Sequence, residues 1–159
     1  MNELVRLHRD GRVAIITIDN PPVNAIATGV PEGIAAALKS AQADSEADAI
    51  VIIGAGKTFI AGADLAEFAK SGEGPNLHAL LAAIEESAKP TVVAVHGTAL
   101  GGGVEIAMAA HYRVAVPDAQ LGMPEVTIGV VPGAEGTQRL PRLVGVAKAV
   151  DMLMTAAPV

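Results

Sequence analysis

Two short runs of β-type residues, at residues 4–8 and 13–18, stand at the start of the chain on either side of Asp10-Gly11. An Asp-Gly pair between such runs is a strong signal for a tight turn, because glycine readily adopts the backbone angles that hairpins require. The pattern therefore predicts that the chain begins with two antiparallel strands.

Beyond the hairpin, helical and strand-like hydrophobic patterns alternate along the chain. They predict five helices, over residues 30–43, 65–69, 77–88, 101–110 and 143–155. They also predict three further strands, over residues 49–53, 91–95 and 113–116. The first two of these strands are expected to be buried on both faces, and residues 71–76 are expected to form a loop. Strands that alternate with crossover helices indicate a single α/β domain over residues 1–159, with largely parallel strands.

Composition narrows the classes of protein to which the chain can belong. It has 159 residues, of which 51% are hydrophobic, enough for one domain with a packed core. The formal charge of −6 and the lack of a Lys/Arg run argue against a nucleic-acid or membrane-surface partner. The absence of cysteine excludes a disulfide scaffold and a thiolate zinc site. Charges near the N-terminus do not fit a signal peptide, so a cytoplasmic protein is expected.

Two carboxylates, Glu105 and Glu125, stand among glycine and proline instead of solvated polar residues. The helix that begins near Glu105 runs outward by roughly 12 Å. The strand after it returns by roughly 15 Å, which brings Glu125 back beside Glu105. Two carboxyl groups in an apolar setting have different pKa values, so one can act as a base while the other holds a proton. Alternatively, Glu105 is a first-turn glutamate favoured by the helix dipole and Glu125 is a loop carboxylate in water.

The glycines at residues 101–103 open a helix, where unpaired backbone N–H groups and the helix dipole favour an anion. The small-residue turn at residues 61–64 can supply another N–H, and two amides converging on one oxygen would form an oxyanion hole. A dinucleotide site does not fit, because Ile106 stands where a third glycine is expected. The alternative is that the glycines serve only close packing of strand and helix. The four histidines share no metal-ligand spacing, so no metal site is predicted.

Several segments resemble the crotonase family of enoyl-CoA hydratases and isomerases in order and spacing. They are NPPVNA at residues 20–25, FIAGADL at 59–65, ALGGGVEIA at 99–107, PEV at 124–126 and PGAEGTQRLPR at 132–142. The resemblance spans nearly the whole chain, and it implies an α/β fold built as a crotonase-like spiral of ββα units. It also implies an acyl-CoA thioester substrate, no cofactor apart from the coenzyme A of that substrate, and assembly as a homotrimer or as a hexamer of two trimers.

Carried across position by position, the resemblance gives individual residues their roles. Glu105 and Glu125 match the catalytic pair of hydratases, and Ala63 and Gly102 match the backbone donors of the oxyanion hole. The positions that line or support the coenzyme A and acyl site are matched by Ala25, Ala61, Asp64, Leu65, Gly101 and Gly133. Of these, Gly133 matches the glycine that packs behind the second glutamate.

The presence of both glutamates favours hydration of a 2-enoyl-CoA, in which water adds to C3 and a proton to C2. Glu125 is expected to be the base toward water and Glu105 the proton donor. The reverse assignment, or one glutamate serving both steps, stays open, because the sequence alone does not assign acid and base roles to two carboxyl groups that titrate as a coupled pair. A Δ3-Δ2 enoyl-CoA isomerase and an inactive core are the alternative functions.

The sequence departs from the family pattern in two places. Glu135 stands where the family has glycine, which adds a charge near the second catalytic carboxylate. Family domains also continue into further C-terminal helices, so the chain is expected to correspond to the N-terminal part of the domain. The segment at residues 20–25 is frequent in bifunctional hydratase/3-hydroxyacyl-CoA dehydrogenases, and the hydratase part of such a protein is a further alternative.

Overall fold

The computed structural model describes residues 3–71, 74 and 76–159. The described residues form eight strands: β1 Val5–Asp10, β2 Val13–Ile18, β3 Ala49–Gly54, β4 Ile60–Ala61, β5 Thr91–Val95, β6 Thr98–Leu100, β7 Tyr112–Ala115 and β8 Gln120–Gly122. They also form six α-helices: α1 Val30–Ala43, α2 Leu65–Ser71, α3 His78–Glu85, α4 Gly102–Ala109, α5 Gly136–Val144 and α6 Val146–Thr155. A short 3₁₀ helix, Pro124–Ile128, follows β8.

The strands are arranged in a large and a small sheet. The large sheet has the order β1-β2-β3-β5-β7, and only its β1–β2 pair is antiparallel, with Val5 opposite Ile18. The small sheet has the order β4-β6-β8 and is parallel throughout, so that Leu100 lies opposite both Ala61 and Gly122. The predicted hairpin and the predicted α/β fold with largely parallel strands are both confirmed.

The core is built from aliphatic side chains of the large sheet and of the helices that pack against it. Helix α1 turns one apolar face inward, with the buried residues Val30, Ile34, Ala37, Leu38 and Ala41. On β3, Ile50 and Ile52 are fully buried, whereas Val51 and Ile53 are only partly covered. The prediction that β3 and β5 are buried on both faces was therefore wrong, because a continuous aliphatic run does not tell which face of a strand is covered.

Two helix predictions also need correction. The helix expected over residues 143–155 is divided, because Gly145 has a φ of 81° and separates α5 from α6. In the sequence, a glycine inside an apolar helical pattern can be interpreted as a tolerated residue of the helix interior. Its backbone freedom makes it equally suitable for a helix end. The helix expected over residues 77–88 ends at Glu85. Of the expected loop at residues 71–76, Ser71 belongs to α2, and residues 72, 73 and 75 lie outside the described residues.

A buried asparagine connects the two sheets. The side chain of Asn24 is 3% exposed, and its Nδ2 donates to the carbonyl oxygens of Ala55 (2.9 Å) and Thr58 (2.7 Å). Its Oδ1 accepts a hydrogen bond from the backbone N–H of Asn20 at 2.9 Å. Since residues 55–58 join β3 to β4, this side chain fixes where the small sheet begins relative to the large one. Across the described residues, none of the helices is both long enough and apolar enough to span a membrane.

Candidate active site

The turn from β6 into α4 requires glycine for three separate reasons. Gly101 has a φ of 49°, and a Cβ on it would lie 2.9 Å from Glu125 Oε1. A Cβ on Gly102 would lie 2.7 Å from Ile26 Cδ1, and a Cβ on Gly103 would collide with the carbonyl oxygen of Ile60. The glycines therefore serve close packing, as one sequence interpretation held, and they also bring the start of α4 against the acidic side chains.

Glu105 lies in the first turn of α4 and is 3% exposed. Its Oε1 accepts hydrogen bonds from the backbone N–H groups of Ala134 (2.9 Å) and Gly136 (2.8 Å). A Cβ on Gly136 would approach that oxygen to 2.8 Å and Met123 Cε to 2.6 Å, so the contact depends on glycine. The side chain is consequently fixed through one oxygen, and Oε2 is left for other partners.

Glu125 comes from the 3₁₀ helix Pro124–Ile128, on the far side of the same glycine turn. Its Oε2 is buried and has no hydrogen-bond partner among the described residues. A buried acceptor without a partner carries a desolvation cost, which a functional site can retain because substrate groups meet it. The interpretation of Glu125 as an ordinary solvated loop carboxylate is therefore wrong.

The environment raises the pKa of both carboxyl groups. For Glu105, burial raises the pKa most and the charge of Glu135 adds to it, while the hydrogen bonds from Gly136 and Ala134 and the neighbouring His78 oppose the rise. For Glu125, burial again raises the pKa most, and the negative charge of Glu105 adds to it. Each group can therefore hold a proton at a higher pH than a solvated glutamate, which suits acid–base chemistry.

Two backbone amides that the sequence selected also lie at this site. Ile26 and Ala63 form an isolated parallel bridge, in which Ile26 N–H donates to Gly62 and Asp64 N–H donates to Ile26. That pattern turns the N–H of Ala63 away from the bridge. Gly102 is the first residue of α4, where a helical N–H has no partner within its own helix. Neither amide makes a backbone hydrogen bond within the part of the chain that the structure describes.

Both glutamates and the two residues that carry these amides line one cavity of about 560 Å³. Eight of the residues selected from the sequence contribute to its wall: Ala61, Ala63, Leu65, Gly101, Gly102, Glu105, Glu125 and Gly133. The rest of the wall is largely apolar and includes Phe68, Leu77 and Ile128. A concave apolar cavity with a few converging polar groups is the usual form of a small-molecule site.

Asp64, Ala25 and Gly133 have surroundings that differ from those of the other selected residues. Asp64 lines a second, adjoining cavity, and its Oδ1 accepts from the N–H groups of Ala66 and Glu67 at the start of α2. Ala25 borders neither cavity, and its carbonyl accepts from Asn20. A Cβ on Gly133 would meet no atom within 4 Å, so close packing behind a glutamate occurs at Gly101 and Gly136 instead.

A sequence model of the enoyl-CoA hydratase/isomerase family matches residues 8–159. The chain belongs to this family. Among its relatives, a peroxisomal bifunctional enzyme of Danio rerio is 49% identical over 143 residues, which are 90% of this chain and 20% of that protein. A probable enoyl-CoA hydratase of Bacillus subtilis (strain 168) is 44% identical over 162 residues, covering 98% of this chain and 63% of that protein.

The fold of this chain also occurs in solved structures. An enoyl-CoA hydratase from Thermoplasma volcanium GSS1 superposes with a TM-score of 0.92 at 32% identity, covering 99% of this chain and 66% of that one. The crotonase-like fold implied by the resemblance is thereby confirmed. The chain spans about a fifth of the Danio rerio relative and slightly less than two thirds of the Bacillus subtilis one.

Sequence reasoning missed the groups that hold Glu105. Ala134 and Gly136 donate to it from about 30 residues away in sequence, and His78 at the start of α3 lines the cavity. The signal that could have found the amides is the glycine-containing segment 133–136, at whose end α5 begins, because the first N–H groups of a helix are unpaired. The described residues hold no cluster of three or more His, Asp or Glu side chains suited to a metal ion.

Proposed function

We propose that this family member catalyses the hydration of a 2-enoyl-CoA thioester to the 3-hydroxyacyl-CoA. One observation supports this most: the buried Glu105 and the half-buried Glu125, both with raised pKa values, line the same largely apolar cavity as Ala63 and Gly102. Hydration of a conjugated thioester needs those elements, an acid, a base and donors for the oxygen on which charge develops.

The amides act on the thioester oxygen. When water adds to C3, electron density moves through C2 to that oxygen and produces an enolate-like charge. Donation by the N–H groups of Ala63 and Gly102 stabilises this charge, and each such donor is worth about 2.7–4 kcal/mol in the transition state. Both groups belong to the backbone, so they are held in place by β4, β6 and α4 and need no reorganisation during the reaction.

The hydrogen bonds of the two glutamates support different roles for them. Because Glu105 Oε1 already accepts two N–H groups, a proton on this residue sits on Oε2, the oxygen 4.0 Å from the position of a Cβ on Gly102. In the proposed reaction, Glu105 delivers this proton to C2. Glu125 Oε2, a buried acceptor, takes a proton from the attacking water while the water oxygen bonds to C3.

A parallel assay with two substrates tests the reaction. With a short 2-enoyl-CoA we expect loss of the ultraviolet absorbance of the conjugated thioester and formation of the 3-hydroxyacyl product. Conversion of a 3-enoyl-CoA without hydration of the 2-enoyl-CoA would instead assign the isomerase reaction. Turnover of neither substrate would contradict the proposed activity.

The assembly as a trimer or hexamer belongs to the same proposal. Helices α5 and α6 carry exposed apolar side chains, among them Leu143 (50% exposed), Val146 (70%), Val150 (52%) and Met154 (68%). Apolar surface of this extent favours association with other protein surface. Light scattering coupled to size-exclusion chromatography tests this, and a monomer at micromolar concentration would contradict it.

A further inference from the structure

Glu135 occupies a backbone position that favours glycine. Its φ is 69° and its ψ is 8°, in the left-handed region, directly before the first turn of α5. A residue with a Cβ is disfavoured in that region and persists where its surroundings hold it. Glycine would adopt the same angles without strain. Contacts of the Glu135 side chain are therefore expected to hold this conformation.

The side chain of Glu135 is held by Arg139, one turn further along α5. Arg139 Nε donates to Glu135 Oε2 at 2.9 Å, and Arg139 Nη2 lies 2.7 Å from the same oxygen. The other side of the guanidinium meets Glu85, the last residue of α3, with Nη1–Oε1 at 3.1 Å and Nη2–Oε2 at 2.7 Å. The Arg139 side chain is only 15% exposed. It therefore clamps the turn before α5 to the end of α3.

The clamped residue stands between the two amides that hold Glu105. Ala134 N–H and Gly136 N–H both point at Glu105 Oε1, although they lie on either side of Glu135. The backbone angles of Ala134 and Glu135 together set the direction of one N–H relative to the other, because they are the rotations between the two peptide groups. A change in those angles would turn at least one amide away from the carboxylate.

We infer that Glu135 and Arg139 are positioning residues for Glu105: their ion pair, anchored on Glu85, fixes the left-handed turn that aims the Ala134 and Gly136 N–H groups at Glu105 Oε1. The inference rests on the proposed function in one respect, that Glu105 is the proton donor. The orientation of the two N–H groups toward Glu105 is a structural property, and its effect on the Glu105 carboxyl can be measured without enzymatic turnover.

A purely electrostatic role makes a different prediction. The charged groups that act on Glu105 are His78 from α3, Glu125 from the 3₁₀ helix and Glu135 itself. If Arg139 only neutralises the charge of Glu135, then removing that charge compensates for the loss of Arg139. If Arg139 holds the backbone of Glu135, then glutamine does not compensate, because it keeps the Cβ and its strain, whereas glycine does.

The test compares three variants of the full chain: Arg139→Met, Arg139→Met/Glu135→Gln and Arg139→Met/Glu135→Gly. One readout is the titration midpoint of the Glu105 carboxyl, followed by ¹³C NMR without substrate. The second is kcat and KM for 2-enoyl-CoA hydration. For Arg139→Met we expect the midpoint to rise, because hydrogen bonds to the charged form are lost. We expect kcat to fall on the order of tenfold with little change in KM, because the reacting group is displaced.

Glycine at residue 135 is expected to return both readouts to near the wild-type values in the Arg139→Met background, while glutamine leaves them displaced. Equal recovery with glutamine would overturn the inference in favour of a charge effect, and unchanged readouts in Arg139→Met would overturn it outright. Should Arg139→Met not fold, Glu85→Gln removes part of the anchor and is expected to shift both readouts in the same direction by less; no shift there would equally contradict the clamp.

Arg12→Met is the matched control. It breaks another arginine–carboxylate pair, that of Arg12 with Asp48, on the exposed hairpin side of the large sheet. Both readouts are expected to stay at the wild-type values. If the wild-type chain showed no hydration, the proposed function would fail, and the NMR midpoints would still decide whether the clamp positions Glu105.

Discussion

The large and the small sheet keep their positions by different physical means. Strands of the large sheet are four to six residues long, and its three central strands, β2, β3 and β5, place alternate side chains in the core, as Ile16 and Ile18 of β2 do. Strands of the small sheet have only two or three residues. Its place is fixed by glycines in close contact, by the hydrogen bonds of Asn24 and by the start of α4.

The difference indicates that the large sheet mainly stabilises the fold, whereas the small sheet mainly positions groups of the candidate site. Burying one large aliphatic side chain contributes about 1.5–3 kcal/mol to the free energy of unfolding. The large sheet contains several such residues, so its stability does not depend on any one of them. The small sheet has shorter strands, and it lies beside the start of α4, where we propose that the N–H of Gly102 is an oxyanion donor. We therefore expect substitutions in the large sheet to change the free energy of unfolding and substitutions around the small sheet to change kcat.

The largest effect is expected from the two carboxylates. Glu105→Gln and Glu125→Gln should each lower the kcat of hydration by at least ~10²-fold, the usual loss when a positioned acid or base is removed. KM should change little, because glutamine keeps the size of the side chain and, at Glu105, an oxygen for the two amides. Steady-state kinetics measures both constants. Glu86→Gln, at an exposed glutamate outside the cavity, is the control, and a variant at 105 or 125 with kcat within a few-fold of wild type would remove that residue from the pair.

The second effect isolates one backbone N–H of the small-sheet region. Any Cβ at Gly102 would meet Ile26 Cδ1, so Ile26→Val, which lacks that atom, is used as the background. In it, Gly102→Pro removes the N–H, while Gly102→Ala keeps the N–H and adds the same Cβ. The proline variant should have a kcat about 10²- to 10³-fold below that of the alanine variant, the cost of one oxyanion donor. Similar kcat values in two folded variants would exclude Gly102 N–H as a donor.

The third effect tests the large sheet. Ile52→Val removes one buried methylene from β3 and should lower the free energy of unfolding by about 0.5–1.5 kcal/mol. The same substitution at Ile53, which is only partly covered on the opposite face, should cost less. Urea denaturation measures both, and kcat should stay at the wild-type value in each. A tenfold drop in kcat for Ile52→Val would show that the two sheets are not separable in this way.

The same division explains what the sequence could predict. The hairpin at Asp10-Gly11 and helix α1 follow from local patterns of turn residues and apolar spacing, and the structure confirms both. Glu105 and Glu125 could be paired from the lengths of the intervening helix and strand. Strands β4, β6 and β8 were not predicted, because two or three residues are too few to show a period of two.

The helix start after residue 133 hints at free amides, but the contacts that orient these amides toward Glu105 could not be predicted, for a related reason. They depend on a left-handed residue, Glu135, at a position where most residue types avoid that conformation, and on Arg139 and Glu85, which are 54 residues apart. Neither backbone strain nor a contact of such separation has a local sequence signal. Only the resemblance, which marks position 135 as a glycine in the family, indicated that this turn is unusual.

The smallest effect is a change in stability with pH. The pKa of Glu125 in the folded chain is raised above its ordinary value of 4.5, chiefly by burial, so the unfolded chain ionises first as the pH increases. The wild type therefore loses stability from about pH 4.5 upward until the folded-state carboxyl has also ionised, whereas Glu125→Gln has no charge to bury. The Tm of the variant minus that of the wild type should be larger at pH 7 than at pH 4, as measured by thermal unfolding followed with circular dichroism. A difference that is equal at the two pH values, or smaller at pH 7, would show that the functional site carries no cost of burying a charge at this residue and would weaken the contrast between the two sheets.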